Sequence, residues 1–447
     1  MEPCSPPGIQ QRFRPGLVTC GHSPEDCEVP NSGSNLDVIP DAPPLSEVNG
    51  SRFPRALLFV TIVLCVVLIP MAGVVQIFAQ TTPSAKRSLT LPISKFYDTP
   101  NPLPAGKPGE LIRATAADDY YLAADFSAFR ILYHSRSATG QDVAVSGVVL
   151  VPAGKPPAGG WPVIAWAHAF TGAGRQCAPS LWKNLYYGPF LSMYLNLGYA
   201  VVATDYAGLG SDFRSAVMDV ESNATDVINS IPAASAAAPQ LGSRWVAMGL
   251  SLGANATLGV AELEGRIRDP NYLGGMAIAG VADLKAAYEH LPKEESLRLA
   301  AFLAYGIKTV YPDFDVRDML SEKAVSTYQQ INERCGSVGT NAELSTSETL
   351  KQNWMNHKFV EEFLDRNSLG QHPAYGPLLV ITDATDTAVP PSMTAPVIAR
   401  MFKQGDRIQV IKFSDSEPGR VLGGSVRDQM AWIEGRFAGR PAPSNCP

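Results

Sequence analysis

The chain has 447 residues, of which 45% are hydrophobic and 17% are charged, and its formal net charge is -6 at pH 7. A chain of this composition can bury a large core, and its length suggests one large domain with added segments. The negative net charge leaves no strongly basic surface, which argues against nucleic acid as a partner.

The N-terminal region differs in composition from the rest of the chain. Residues 1–55 are rich in Pro, Ser, Gly and Asn and show no sustained apolar periodicity. A segment of this kind cannot bury enough apolar surface to offset the conformational entropy that folding removes. We therefore predict a disordered tail over residues 1–55.

An uncharged apolar run follows this tail. Residues 56–79 form a stretch that is long enough to cross a bilayer as a helix. Arg55 lies closer to the run than Lys86 does, which favours a cytoplasmic N-terminus and an extracytoplasmic main domain. We predict a transmembrane signal-anchor over residues 56–79. The alternatives are cleavage near Ala79, which gives a secreted protein, and a buried core helix.

Short apolar runs bounded by Gly, Pro and Asp follow a predicted stalk at residues 80–94. They predict buried strands at Ala144–Val151, Pro162–Ala167, Ala200–Thr204, Trp245–Met248, Met276–Ala279, Leu378–Thr382 and Ile408–Phe413. Ser392–Phe402 and Leu422–Phe437 have the spacing of helices. This alternation predicts an α/β fold, with a mostly parallel sheet flanked by helices and a ligand site at the carboxyl ends of the strands.

Residues 282–371 interrupt this alternation. They contain helical patterns at Glu294–Tyr305, Val316–Gln330 and Ser347–Leu364 and exceed the length of a simple crossover. We predict a helical cap inserted over the site, with the core formed by residues 95–281 and 372–440. The apolar face of Leu297–Tyr305 either lines an acyl channel or packs within the cap.

The pentapeptide Gly249-Leu250-Ser251-Leu252-Gly253 lies between a predicted strand and the helix-compatible stretch Ala254–Glu264. This arrangement predicts the nucleophile elbow of an α/β-hydrolase, with Ser251 at the apex of a strained turn. The backbone N–H of Leu252 would point toward a developing oxyanion. The alternative is a turn rich in small residues that carries no chemistry.

Seven cysteines are present, without a C-x-x-C pair or a Cys/His cluster, so we predict no metal site. An exported domain could oxidise one pair of its three cysteines. We predict a disulfide between Cys177 and Cys335, which leaves Cys446 unpaired.

Several longer motifs occur in order along the chain. They are Phe96–Arg113, Phe129–Pro152, Trp166–Ser180, Gly198–Gly210, the elbow and Thr382–Pro391. Together they resemble the secretory lipase family of α/β-hydrolases, the type A lipase-like group, over about residues 95–440. The resemblance implies hydrolysis of lipid-type or small carboxylic esters, a helical cap, and no metal or organic cofactor.

The resemblance also assigns roles to single residues. Ser251 matches the nucleophile and Asp386 the acid that orients the base, although Asp386 or its neighbour Asp383 could instead only stabilise the turn after a strand. In the loop after Pro162–Ala167, Phe170 matches the second oxyanion donor. Ala169 replaces a glycine there, which adds strain if this position requires a positive φ. His168 is expected to brace the loop.

The base histidine is missing from its expected place. Alignment of the family's Asp-His-Asp-Gly-Val with Phe413–Val421 puts Pro418 at the histidine, and proline cannot accept a proton. Asp415 and Glu417 are weak bases at their ordinary pKa values. A histidine from an earlier segment, which is His290, His357 or His372, would have to act as the base in place of the missing histidine. We therefore keep two hypotheses, an impaired serine esterase and a silent pseudo-hydrolase that binds an acyl ligand or a protein partner.

Overall fold

The computed structural model describes residues 89–280, 283–289, 293–333, 335–336, 346–386, 389–413 and 421–445. The predicted tail at 1–55, the predicted membrane segment at 56–79 and most of the predicted stalk lie outside these residues. Within the described ranges, no helix combines the length and the hydropathy that crossing a membrane requires.

The described residues form a nine-stranded sheet with the order β1-β2-β3-β5-β4-β6-β7-β8-β9. The strands are β1 (Leu111–Ala117), β2 (Phe126–Arg136), β3 (Asp142–Pro152), β4 (Trp161–Ala167), β5 (Ala200–Thr204), β6 (Leu241–Leu250), β7 (Tyr272–Ile278), β8 (Leu378–Asp383) and β9 (Ile408–Phe413). The pairs β1-β2, β2-β3 and β3-β5 are antiparallel, and the other five pairs are parallel. The predicted α/β fold with a mostly parallel sheet is confirmed.

Helices connect these strands. They are α1 (Gly188–Asn196), α2 (Val220–Ala237), α3 (Leu252–Ile267), α4 (Leu284–Glu289), α5 (Lys293–Val310), α6 (Glu322–Gln329), α7 (Thr346–Thr349), α8 (Lys358–Arg366), α9 (Pro391–Gln404), α10 (Val421–Gly424) and α11 (Val426–Phe437). The prediction of one continuous helix over Leu422–Phe437 is wrong, because the helix is interrupted at Ser425, between α10 and α11. Two glycines, Gly423 and Gly424, precede the break and favour the helix poorly.

Both faces of the sheet are covered, as the continuous apolar strands require. In β8, Leu379 and Ile381 pack in one hydrophobic cluster with α1 and α11. Leu378 and Val380 pack on the opposite face with α3 and α9. The alternation of side chains along a strand therefore builds a core on each side of the sheet.

The segment between β7 and β8 contains helices α4 to α8, which we call the cap. Phe302, Leu303 and Ile307 of α5 are fully buried in a hydrophobic cluster that also holds Phe314 and Phe363. The apolar face of α5 was expected either to line an acyl channel or to pack within the cap. These three side chains pack within the cap.

Candidate active site

Ser251 stands at a sharp turn between the end of β6 and the start of α3. Its backbone has φ 52° and ψ −116°, which is a strained conformation for a residue with a side chain. The Ser251 N–H donates to the carbonyl of Ile278 at 2.9 Å, and the Ser251 carbonyl accepts from the N–H of Ala254 at 2.8 Å. These bonds hold the strained turn at the carboxyl edge of the sheet.

Close backbone contacts explain the glycines around Ser251. A Cβ atom on Gly249 would overlap the carbonyl of Gly253, and one on Gly253 would overlap the carbonyl of Ala167 in β4. A Cβ atom on Gly280, after β7, would overlap the backbone of Ser251 itself. Gly249 and Gly253 do not have a positive φ. Glycine is therefore needed at both positions because the backbones approach closely.

This packing gives a test of the elbow's rigidity. We expect Gly253→Ala to lower the free energy of unfolding by about 1–3 kcal/mol, because the new methyl group must displace β4. The matched control is Gly423→Ala in α10, where a Cβ atom meets nothing within 4 Å. Urea unfolding of both variants is the measurement, and equal stabilities would contradict the close approach at Gly253.

The two predicted oxyanion residues lie under the cap. Both Phe170 and Leu252 pack against the hydrophobic cluster of the cap, and the Phe170 ring meets the Phe302 ring edge-on with centroids 4.3 Å apart. Leu252 is the first residue of α3, where backbone N–H groups and the helix dipole favour negative charge. The structure thus brings both residues to the face that the cap covers.

The loop that carries Phe170 lacks the backbone strain that a positive φ at Ala169 would cause. Ala169 does not have a positive φ, so alanine adds no left-handed strain where the family has glycine. The Ala169 carbonyl lies 2.6 Å from Nδ1 of His168, and the Ala169 N–H donates a hydrogen bond to the Tyr187 hydroxyl oxygen.

His168 braces this loop from a buried position. Its Nε2 lies 3.1 Å from the carbonyl oxygen of Asp205, and its ring stacks on Tyr206 with centroids 4.2 Å apart. Burial lowers the pKa of His168 to about 4, so the imidazole is neutral at pH 7. These contacts agree with the predicted bracing role.

The predicted acid and its neighbour lie in the turn after β8. Asp386 Oδ1 accepts from the N–H of Val389 at 2.9 Å. Asp383 is buried, and its Oδ1 accepts from the N–H and the hydroxyl of Thr385 at 2.9 and 2.7 Å. Both carboxylates therefore stabilise this turn, and the catalytic role of Asp386 remains a prediction.

The base position lies outside the described residues. Pro418, Asp415 and Glu417 fall within residues 414–420, and His290 is outside as well. β9 ends beside the acid turn, because the N–H of Ala384 donates to the carbonyl of Phe413 at 2.7 Å.

The described histidines make contacts elsewhere. His357 lies in the cap, where its Nε2 is 3.4 Å from a carboxylate oxygen of Asp318. His372 lines a cleft beside α8, together with Glu262 of α3. Among the histidines that the structure describes, none is hydrogen-bonded to Ser251.

The predicted cysteine pair lies where the cap meets the core. Cys177 and Cys335 form a disulfide with Cα atoms 5.1 Å apart. Cys446, which we predicted to be unpaired, is outside the described residues. Backbone contacts continue the junction, since the N–H of Gly336 donates to the carbonyl of Thr171 at 2.8 Å. The loop that carries Phe170 is thus fastened to the cap. The described residues contain no cluster of His, Cys, Asp or Glu that could hold a metal ion.

Comparison with known proteins gives one family and several solved structures. The family described as secretory lipase matches residues 188–445. No curated protein matches the chain in sequence.

Solved structures share the fold at low identity. Candida antarctica lipase A in its closed state has a TM-score of 0.67 and 19% identity, covering 80% of this chain and 89% of that one. A ligand-bound rice cell wall degrading esterase from Xanthomonas oryzae has a TM-score of 0.60 and 14% identity, covering 74% and 97%. A putative hydrolase from Legionella pneumophila has a TM-score of 0.62 and 17% identity, covering 75% and 100%. These likenesses establish the α/β-hydrolase fold.

Proposed function

From the premise that the chain belongs to the secretory lipase family, we propose that it is a serine hydrolase of lipid-type carboxylic esters. Ser251 is the nucleophile of this proposal. Its catalysis is impaired, because Pro418 occupies the position at which the family has its base histidine.

One observation carries the proposal. Ser251 keeps φ 52° and ψ −116° at the end of β6, and close backbone contacts at Gly249 and Gly253 enforce the turn. Strain of this kind costs on the order of 1–3 kcal/mol and persists where the surrounding structure enforces it. An α/β-hydrolase uses this turn to present the hydroxyl to a substrate carbonyl.

The reaction follows from the groups around Ser251. The Oγ atom attacks the ester carbonyl carbon, and the N–H groups of Leu252 and Phe170 stabilise the oxyanion. The hydroxyl proton goes to the leaving alkoxide, which departs as the alcohol, and water then releases the carboxylic acid from the acyl-enzyme. Without a base, the oxyanion hole and substrate binding leave an acceleration of roughly 10³–10⁴ over water.

A second candidate function is a binding protein without catalysis. The carboxylates of Asp383 and Asp386 both accept hydrogen bonds within their own turn, as they would in a purely structural role. In this alternative, the chain binds an acyl ligand or a protein partner and catalyses no reaction.

The proposed location is extracytoplasmic. Residues 56–79 serve as a signal-anchor that leaves residues 1–55 in the cytoplasm, or the protein is secreted if it is cleaved near Ala79. The Cys177–Cys335 disulfide supports an oxidising compartment for the main domain.

Covalent labelling tests the proposed nucleophile. We expect the full chain to react with a fluorophosphonate probe slowly and only at Ser251, because a serine hydroxyl without a base is a poor nucleophile. Peptide mapping identifies the labelled residue, with Ser251→Ala as the unreactive control. Fast labelling at Ser251 would mean that another group acts as the base, and labelling at another serine would remove Ser251 from the proposal.

A further inference from the structure

A cavity of about 360 Å³ lies between β9, α11 and the C-terminal segment. Ile411 of β9 and Trp432 of α11 form two of its walls, and Pro441 and Pro443 form a third. Cavities that bind small molecules usually start at about 300 Å³. This cavity is therefore large enough for a small organic ligand.

The cavity is separate from the elbow. Arg436, which lines it, accepts a hydrogen bond at its carbonyl from the guanidinium of Arg244 at 3.2 Å. Arg244 lies near the start of β6, whereas Ser251 follows the end of the same strand. With roughly 3.3 Å per residue along a strand, the seven residue steps from Arg244 to Ser251 span about 23 Å.

Positive charge gathers beside the cavity. Arg244, Arg407, Arg436 and Arg440 come together there, and in the described part of the chain none of them forms an ion pair with a carboxylate. Arg436 is only 7% exposed. Its pKa is lowered by burial and by the charges of Arg440 and Arg407. A buried cation among like charges is unfavourable unless an anion accompanies it.

Two donor atoms of the lining side chains are buried and have no hydrogen-bond partner among the described residues. They are Nε of Arg436 and Nε1 of Trp432, whose residue is 4% exposed. The Arg436 guanidinium carbon lies 5.3 Å from the centre of the Trp432 ring, so the cation and the indole are in contact beside the cavity. Buried donors are normally satisfied, and a charged acceptor forms the stronger bonds.

The rest of the cavity wall is apolar, apart from one carboxylate. The Trp432 ring, Ile411 and two prolines provide apolar surface. Asp428 also lines the cavity and lies two helical turns before Arg436 on the same face of α11. Its carboxylate disfavours a second negative group at that end.

The C-terminal segment holds this wall in place. The side chain of Asn445 pairs with the edge of β9, accepting from the Val410 N–H at 2.6 Å and donating to the Val410 carbonyl at 3.0 Å. The Asn445 N–H also donates to the carbonyl of Ile408 at 3.0 Å. These bonds fix the segment that carries Pro441 and Pro443.

We propose that this cavity binds a small amphiphilic anion, a carboxylate or phosphate group attached to an apolar body. The charged group lies against Arg436 and Arg440, and the apolar body lies on the Trp432 ring and Ile411. The site is independent of whether Ser251 is catalytically active.

Calorimetric titration of the full chain in a nonionic detergent tests this site, with buffer-and-detergent blanks. Hexanoate and hexyl phosphate are the probes, hexanol lacks the charge, and inorganic phosphate lacks the apolar body. We expect at least one of the two anionic probes to bind, and each control compound to bind at least tenfold more weakly than it. The preferred probe distinguishes a free carboxylate from a phosphate headgroup.

Variants locate the binding. Arg440→Met should weaken the preferred probe about tenfold or more, because one charge-assisted contact is lost. Arg440 is exposed, so this variant keeps the fold even where Arg436→Met does not. Arg317→Met, in the exposed part of the cap, is the matched control and should bind as the unaltered protein does. Unchanged affinity in Arg440→Met, or equal binding of hexanol, would overturn the proposal.

Discussion

The variant Pro418→His is expected to hydrolyse a p-nitrophenyl ester on the order of 10²-fold faster than the unaltered protein. A positioned general base contributes typically about 10²–10⁴-fold to such a step. β9 ends beside the acid turn, since Phe413 at the end of β9 pairs with Asp383 at the end of β8. A histidine at position 418 would restore the Ser–Asp–His order of the family. The measurement is kcat/KM for the ester at pH 7 to 8.

Three further variants define what the gain means. Ser251→Ala in the Pro418→His background should abolish it, and Asp386→Asn should remove most of it if this aspartate orients the new base. A histidine one position earlier, Glu417→His, is the matched control for loop geometry and should give a smaller gain. An unchanged rate in Pro418→His with an intact fold would favour the binding function.

The sequence predicts those strands that are buried on both faces. β5 is found with its observed bounds, and β8 is found to within one residue, because near-continuous apolar runs mark such strands. β1 and β2 are missed. β1 is an edge strand with exposed Ala and Thr residues, and β2 contains the buried polar residues His134 and Ser135. Their partners, Asp142 and Asp226, are separated from them in sequence, so no local pattern reveals the strand.

In the candidate site too, features set by neighbouring residues are predicted, and features that depend on residues distant in sequence are not. The elbow is local, so the pentapeptide around Ser251 predicts its position and its tight turn. Helix α2 is missed because Ser, Asn, Asp and Pro232 depress its helix propensity, while its burial against the sheet stabilises it. The arginine cluster at the C-terminal cavity has no sequence signature. Arg244 in β6 and Arg436 in α11 are far apart in sequence, and only the folded chain brings them together.

Removal of the disulfide is the second large effect that we expect. Cys335→Ser should lower the free energy of unfolding by about 2–4 kcal/mol, because the bond closes a long loop. The two cysteines are separated by 158 residues. The measurement is denaturant unfolding under oxidising conditions, and Cys446→Ser is the matched control that should leave stability unchanged.

The disulfide also has a consequence for the candidate site. It joins Cys335 of the cap to the segment after β4, and the adjacent bond from Gly336 to Thr171 reaches the residue next to Phe170. We expect Cys335→Ser to speed backbone hydrogen exchange around Phe170 and to leave exchange in β8 unchanged, because β8 lies inside the sheet. Equal loss of stability in Cys446→Ser, or unaltered exchange around Phe170, would show that the disulfide does not hold the cap against this loop.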